Sequence, residues 1–319
     1  MRILFVTATR VGDAVLSSGV LRHLIEQNPG ARVTVACGPA AAGLFAAVPG
    51  LERIIVLRKK KMSLHWLDFW LNTVGSLWDQ VIDLRNSPIT YLVPHKKGRH
   101  IGRGHMDGHR MIRNAAVLGL EDNPPAPVLW TTAAQDERAA QLLPEGGPII
   151  ALGPVSNWQP KTWAAENFVE LVKRLTRTDG PLLNARIAVF GTTDERLQAA
   201  PLLENIPPCQ RIDLMGMVSL LELYACLKRA QIFVGNDSGL MHMAAAAGIP
   251  TLGLFGPSRE EHYAPWGDRC RAVRGGRGYD ELFPADYDYK NSAHHQFMAD
   301  LSVDQVEQEV VSLLGETRS

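Results

Sequence analysis

At 319 residues, 46% of them hydrophobic and 21% charged, the chain carries enough apolar material for two domains of ordinary size. Lysine plus arginine and aspartate plus glutamate each total 33, and this formal neutrality argues against a nucleic-acid partner. No run approaches the roughly 20 apolar residues of a membrane span. The four cysteines, Cys37, Cys209, Cys226 and Cys270, share no repeated spacing and read as reduced thiols in a cytoplasmic chain.

Residues 2–8, RILFVTA, read as a first strand, because the apolar run is too short for a secretory leader and no small-residue cleavage site follows. A helix is expected from Asp13 to Gln27, stopped by Asn28, Pro29 and Gly30. Strands follow over 32–37, 53–57 and 80–85, with a short helix after the first and another near 63–77. Such alternation implies a parallel sheet covered on both faces. The proline-rich stretch 121–131 opens the connection to a second domain. Beyond it, strands over 148–153, 185–191, 211–216, 231–235 and 251–256 alternate with helices over 162–177, 194–203 and 219–229, and with a small-residue helix after Gly239. The expected domains are 1–130 and 131–298, two doubly wound units with a ligand cleft between them. The segment 276–297 is polar and aperiodic, hence a loop. Residues 299–319 hold a final helix, with Val303, Val306, Val310 and Leu313 on one stripe, expected to pack back on the first domain.

Ligands of open parallel sheets bind at the loops that leave the carboxyl ends of the strands, and three of these loops carry unusual residues. In TATRVGDAVL (7–16), Gly12 allows a tight turn and Asp13 stands at the helix start. That aspartate either caps the helix or offers a carboxylate as general base to a hydroxyl. In LGPVSNWQPKTW (152–163), Lys161 lies beside a helix start, where a cation gains nothing from the helix dipole. It is either a solvated loop lysine or the partner of an anion. In FVGNDSGLMHMAAAAGIPTLGLFGP (233–257), Gly235 and Gly239 bracket Asn236, Asp237 and Ser238. The helix can then present free N–H groups to a phosphate. His242 on the same helix is either a core histidine or part of that anion site.

The last stretch resembles the signature of glycosyltransferase family 9, the ADP-heptose:lipopolysaccharide heptosyltransferases. The resemblance continues through RVGDAVLSSGVLRHL near the start, DQVIDLRNS (79–87), RHIGR (99–103), NWQPKTWAAENFVELVKRL (157–175) and DLMGMVSLLELYACLKRAQIFVGN (213–236), covering most of the chain in order. It implies the GT-B fold, two facing Rossmann-like domains with the acceptor held mainly by the first and the nucleotide sugar by the second. It also implies an inverting, metal-independent transfer of heptose from ADP-heptose to the lipopolysaccharide inner core, with no cofactor. The alternatives are another nucleotide sugar, another acceptor, or an inactive nucleotide-binding module.

By the same resemblance Asp13 is the catalytic base and Lys161, with Ser156 and Asn157 before it, holds the sugar diphosphate. Asp237 bonds donor-sugar hydroxyls, Ser238, Gly239 and Leu240 offer amides to the diphosphate, and His242 supports it. Val218 and Ser219 lie beside the nucleobase. Pro154, Val155 and Ser156 depart from the family's commoner Pro-Gly-Ala-Ser order. Arg10, Gly12, Arg85, Arg103 and Arg113 are the acceptor candidates.

Basic runs at RKKK (58–61) and over 95–113 are either solvated faces or contacts to an anionic glycolipid acceptor and to the inner membrane surface, approached peripherally from the cytoplasm. DYD (286–288) sits in the expected loop rather than after a buried strand, unlike a metal-binding carboxylate pair. His105 and His109 are four apart, but Gly104 and Gly108 break the helix that would align them on a metal.

Overall fold

The computed structural model describes residues 1–102, 108–283 and 296–316, so Arg103, His105 and DYD (286–288) lie outside the described residues. The chain divides into two compact units, Met1–Thr132 and Ala133–Ser319.

In the first unit β1 (Arg2–Val6) is followed by α1 (Val11–Val15), α2 (Ser18–Gln27), β2 (Arg32–Cys37), β3 (Leu51–Val56), α3 (His65–Thr73), β4 (Trp78–Asp83), β5 (His95–His100) and α4 (Arg110–Ala115). The strands are all parallel, in the order β3-β2-β1-β4-β5. Residues Ile3 to Val6 of β1 are fully buried, as a central strand covered on both faces requires.

The helix expected over 13–27 is broken in two. Ser17 and Ser18 turn their hydroxyls back on the carbonyls of Ala14 and Val15, each at 2.7 Å, which competes with helix continuation. The Asn114 side chain donates to the Leu16 carbonyl at 3.0 Å, satisfying a group that the break exposes. A short α1 is thereby left at the carboxyl end of β1, with Asp13 in its first turn.

In the second unit the order is α5 (Ala133–Leu142), β6 (Ile149–Gly153), α6 (Ala165–Thr176), β7 (Arg186–Val189), α7 (Arg196–Asn205), β8 (Arg211–Asp213), α8 (Leu220–Leu227) and β9 (Ile232–Asn236). It continues through α9 (Gly239–Ala246), β10 (Thr251–Phe255), α10 (Glu260–Tyr263), β11 (Cys270–Arg274), α11 (Tyr279–Leu282) and α12 (Val303–Glu316). Its six strands run parallel in the order β11-β10-β9-β6-β7-β8.

Gly153, Gly235 and Gly253 stand side by side on β6, β9 and β10. A Cβ on Gly235 would lie 2.7 Å from the Phe233 ring, and one on Gly253 would lie 2.3 Å from the Met241 sulfur of α9. The glycine row lets these side chains lie against the sheet, which seats α9 closely upon it.

Val306, Val310, Leu313 and Leu314 of the terminal helix α12 are buried in the second unit's core with Trp163 and Phe168. The ion pairs agree: Arg174 of α6 pairs with Asp304 and Glu307, and Arg271 of β11 pairs with Glu309 and Glu316. The stripe is buried where complementary charges flank it. The expected loop of 276–297 contains the short α11, and its residues 284–295 lie outside the described set.

Candidate active site

In an open parallel sheet the ligand crevice lies outside the carboxyl ends of the strands, where the strand order reverses. In the first sheet that point is between β1 and β4. The loops leaving these strands border a pocket of about 380 Å3, and the described residues that line it include Arg10, Asp13, Arg85, Asn86, Arg110 and Arg113. Among the described lining residues four are arginines and one is a carboxylate, a charge balance that favours an anionic ligand.

Asp13 does not cap α1; Arg10 occupies the N-cap position, in extended backbone, and no side chain caps the helix. Asp13 lies in the first turn, where the dipole favours a carboxylate, and its ion partner is Arg110 Nε at 3.8 Å. The two side chains are 22% and 19% exposed, so the pair is reachable from the pocket. Gly12 precedes Asp13 within α1.

Arg85 lies over the Trp66 ring, 5.1 Å from its centroid. Its Nη1 is buried without a hydrogen-bond partner. Burial pushes the Arg85 guanidinium below its ordinary range, against the pull of Asp83; an arginine remains charged nonetheless. An ionised donor held out of water with no acceptor is costly until an anion arrives. The Asp83 carboxylate is fully buried and ties this loop down, accepting from Arg85 N and Ser87 N at 2.7 Å and from the Thr90 hydroxyl at 2.8 Å.

In the second sheet the order reverses between β9 and β6. Asn236, fully buried at the end of β9, donates to the Pro154 carbonyl at 2.8 Å and accepts from Trp163 N at 2.9 Å. One side chain thus fixes both ends of the loop that carries Lys161. Lys161 Nζ meets Asp237 Oδ2 at 2.6 Å, the two side chains 25% and 10% exposed. Ser238 is the N-cap of α9, in extended backbone with no side-chain cap, and its hydroxyl is buried without a partner. The first amides of α9, from Gly239 and Leu240, therefore face no capping oxygen, as at an anion-binding helix terminus. Ser156 is buried and its hydroxyl accepts from Trp158 N at 3.4 Å, whereas Asn157 is exposed. His242 is buried in α9.

Val218 and Ser219 stand apart from this cluster. They follow the edge strand β8, with β6 and β7 between it and β9. The Ser219 hydroxyl belongs to a capping box with Glu222, accepting from Glu222 N at 3.4 Å while the Glu222 carboxylate accepts from Ser219 N at 2.7 Å. His109 is a helix cap as well, its Nδ1 accepting from Met111 N at 3.2 Å. Among the described residues no three His, Cys, Asp or Glu side chains gather as a metal-binding group.

With this geometry in place, residues 91–284 match glycosyltransferase family 9 (heptosyltransferase). The chain belongs to glycosyltransferase family 9. Lipopolysaccharide heptosyltransferase 2 of Salmonella typhimurium is 24% identical to it, over 99% of each chain. Lipooligosaccharide heptosyltransferase 2 of Haemophilus influenzae is 25% identical, over 99% of this chain and 100% of that one. The solved E. coli ADP-heptose lps heptosyltransferase II is similar in fold, with a TM-score of 0.76 at 20% identity over 100% of both chains. The protein is a glycosyltransferase with the GT-B class of α/β fold.

In this glycosyltransferase the first reversal gathers Arg10, Asp13, Arg85 and Arg113, and the second gathers Lys161, Asp237, Ser238 and Gly239. Sequence reasoning missed Arg110 and Asn236. Arg110 had a signal, since it lies three residues from Arg113 and so on the same helical face. Asn236 had only its place at a strand end, because its partners come from a loop 73 and 82 residues away.

Proposed function

We propose that this glycosyltransferase moves a heptose from ADP-heptose to the lipopolysaccharide inner core, inverting the anomeric carbon and using no metal ion. The observation that carries the reading is the division of charge between the two strand-order reversals. Among the described residues, one holds a carboxylate with four arginines; the other holds a lysine beside an uncapped helix terminus. The relatives support the substrates, since the solved one is named for ADP-heptose and a curated one for lipopolysaccharide.

In this reading Asp13 takes the proton from an acceptor hydroxyl as that oxygen attacks the anomeric carbon. The bond from that carbon to the diphosphate oxygen breaks in the same displacement, so the anomeric configuration inverts and ADP leaves. Lys161 and the amides of Gly239 and Leu240 compensate the charge that develops on the diphosphate. Ser156, Asn157 and His242 support the same group. Asp237 is released from Lys161 to bond hydroxyls of the donor sugar. Val218 and the backbone of Ser219 lie beside the nucleobase, the Ser219 hydroxyl being committed to the cap of α8. Arg10, Arg85, Arg110 and Arg113 hold the phosphates or carboxylates of the acceptor, with Gly12 keeping the approach to Asp13 open.

The acceptor is a lipid, and the first unit has features suited to the cytoplasmic face of an anionic membrane. Arg58, Lys59, Lys60 and Lys61 are exposed, and beside them Leu64, Leu67 and Leu71 are exposed by 51%, 51% and 61%. Basic side chains next to apolar ones favour a peripheral contact with acidic lipid. No helix among the described residues is long and apolar enough to cross a membrane.

The test is incubation with ADP-heptose and truncated lipopolysaccharide acceptors in EDTA, following ADP release and product mass. The expected result is ADP equimolar with a product heavier by one heptose. No ADP with any acceptor contradicts the substrates; activity only after a divalent ion is added contradicts the metal-free step.

A further inference from the structure

Asn86, Ile101 and Gly102 of the arginine pocket also line a second pocket of about 410 Å3, whose other described walls are Pro88, Tyr91 and His100. Chemical character changes across this shared wall. The first pocket is cationic, whereas the described lining of the second holds no lysine or arginine and is dominated by one aromatic pair. The Tyr91 and His100 rings stack with centroids 3.8 Å apart and planes 9° from parallel. A pair formed to fill a core would be buried, but Tyr91 is 58% exposed. Stacked on His100 by one face, Tyr91 still lines the pocket with more than half of its surface exposed.

The pair is held in place from below. The Thr90 hydroxyl has one hydrogen, which goes to Asp83 Oδ2 at 2.8 Å or to the Ser87 carbonyl at 2.7 Å. It must therefore accept from His100 Nε2, 3.0 Å away. This chain from the buried Asp83 fixes the His100 ring plane and leaves Nδ1 as an acceptor in the neutral ring. Burial pushes His100 below the ordinary histidine range, outweighing Asp83, which favours the neutral form at neutral pH. Among the described residues, neither His100 Nδ1 nor the Tyr91 hydroxyl has a hydrogen-bond partner.

An exposed aromatic side chain with polar groups at its rim suits a saccharide ring, whose C–H face lies on the aromatic while its hydroxyls bond at the edge. We infer that the Tyr91–His100 pocket is a second acceptor subsite, which seats an uncharged pyranose ring while the anionic group of the same acceptor lies among the arginines. Tyr91 supplies the platform, and Asn86 and His100 bond the ring hydroxyls. The inference rests on the acceptor class proposed above.

Two acceptors test it: a phosphorylated monosaccharide glycolipid, and the same molecule extended by one uncharged pyranose. Tyr91→Ala is expected to raise KM for the extended acceptor about fivefold, leaving KM for the short acceptor and for ADP-heptose unchanged. Tyr91→Phe keeps the ring and should behave as wild type, and equal melting temperatures exclude misfolding. Equal effects on both acceptors, or none on either, overturn the subsite. Saturation-transfer NMR of the extended acceptor without donor provides a readout independent of turnover. The added pyranose should receive saturation from the wild type and from Tyr91→Phe but not from Tyr91→Ala. If the wild type transfers no sugar yet this pattern holds, the proposed function fails and the subsite stands. No saturation of that ring in the wild type overturns the subsite itself.

Discussion

Among the described residues, the strand-order reversal of the first unit leaves buried guanidinium nitrogens of Arg85 and Arg110 without hydrogen bonds, whereas that of the second unit closes a lysine on an aspartate. Arg85 Nη1 and Arg110 Nε are buried without hydrogen-bond partners, and Arg110 approaches Asp13 only to 3.8 Å. Lys161 and Asp237 are in full contact at 2.6 Å, and Asn236 is bonded on both sides. A standing excess of cations attracts an anion before any rearrangement. A closed ion pair must instead exchange a partner when its ligand arrives, so that part of the binding free energy goes into opening it. In the proposed reading the first unit captures its ligand and the second exchanges an ion-pair partner for its own.

Asp13→Asn tests that contrast with the largest expected effect. Transfer should fall by about a thousandfold, while the dissociation constant for ADP-heptose measured by calorimetry stays within error. Equal loss of donor binding would make Asp13 a structural residue of α1. Arg85→Gln comes next. Its KM for an anionic acceptor should rise about tenfold and the salt dependence of kcat/KM should weaken, with the donor KM unchanged.

The smallest effect belongs to Ser219, whose hydroxyl is committed to the cap of α8. Ser219→Ala should cost about 1 kcal/mol in urea unfolding and leave the donor KM unaltered; a raised donor KM would show that the hydroxyl also serves the nucleotide. The Ser219 N–H and hydroxyl hold the Glu222 carboxyl below its ordinary value of 4.5. A depressed folded value means the contribution is present above 4.5 and is lost as the pH falls through the lower folded value. Glu222→Gln should therefore flatten the acid side of the stability curve below 4.5, and unchanged steepness would refute the assignment.

The parts of the fold legible in the sequence are those where burial on both faces forces an apolar run, as in RILFV of β1, IIALG of β6 and IFVGN of β9. The edge strands β5, HKKGRH, and β11, CRAVR, escape that reading. An edge strand needs less apolar cover and gains from charges that discourage further pairing. The break at Ser17 is a choice of hydrogen-bond partner, to which hydrophobic periodicity is blind. For α12 the periodicity reveals a buried stripe but not the surface that buries it. Within the site, the glycine and polar loop of 235–239 is legible because it lies in one segment. The Lys161–Asp237 contact is not, since the residues are 76 apart and only the strand order brings them together.

The separation of duties between the two reversals can be measured by titrating each ligand alone into three proteins: wild type, Lys161→Ala and Arg110→Gln. The account predicts a crossover, in which Lys161→Ala weakens ADP-heptose about tenfold or more without affecting the anionic acceptor, and Arg110→Gln does the reverse. Weakening of both ligands by either substitution would contradict it.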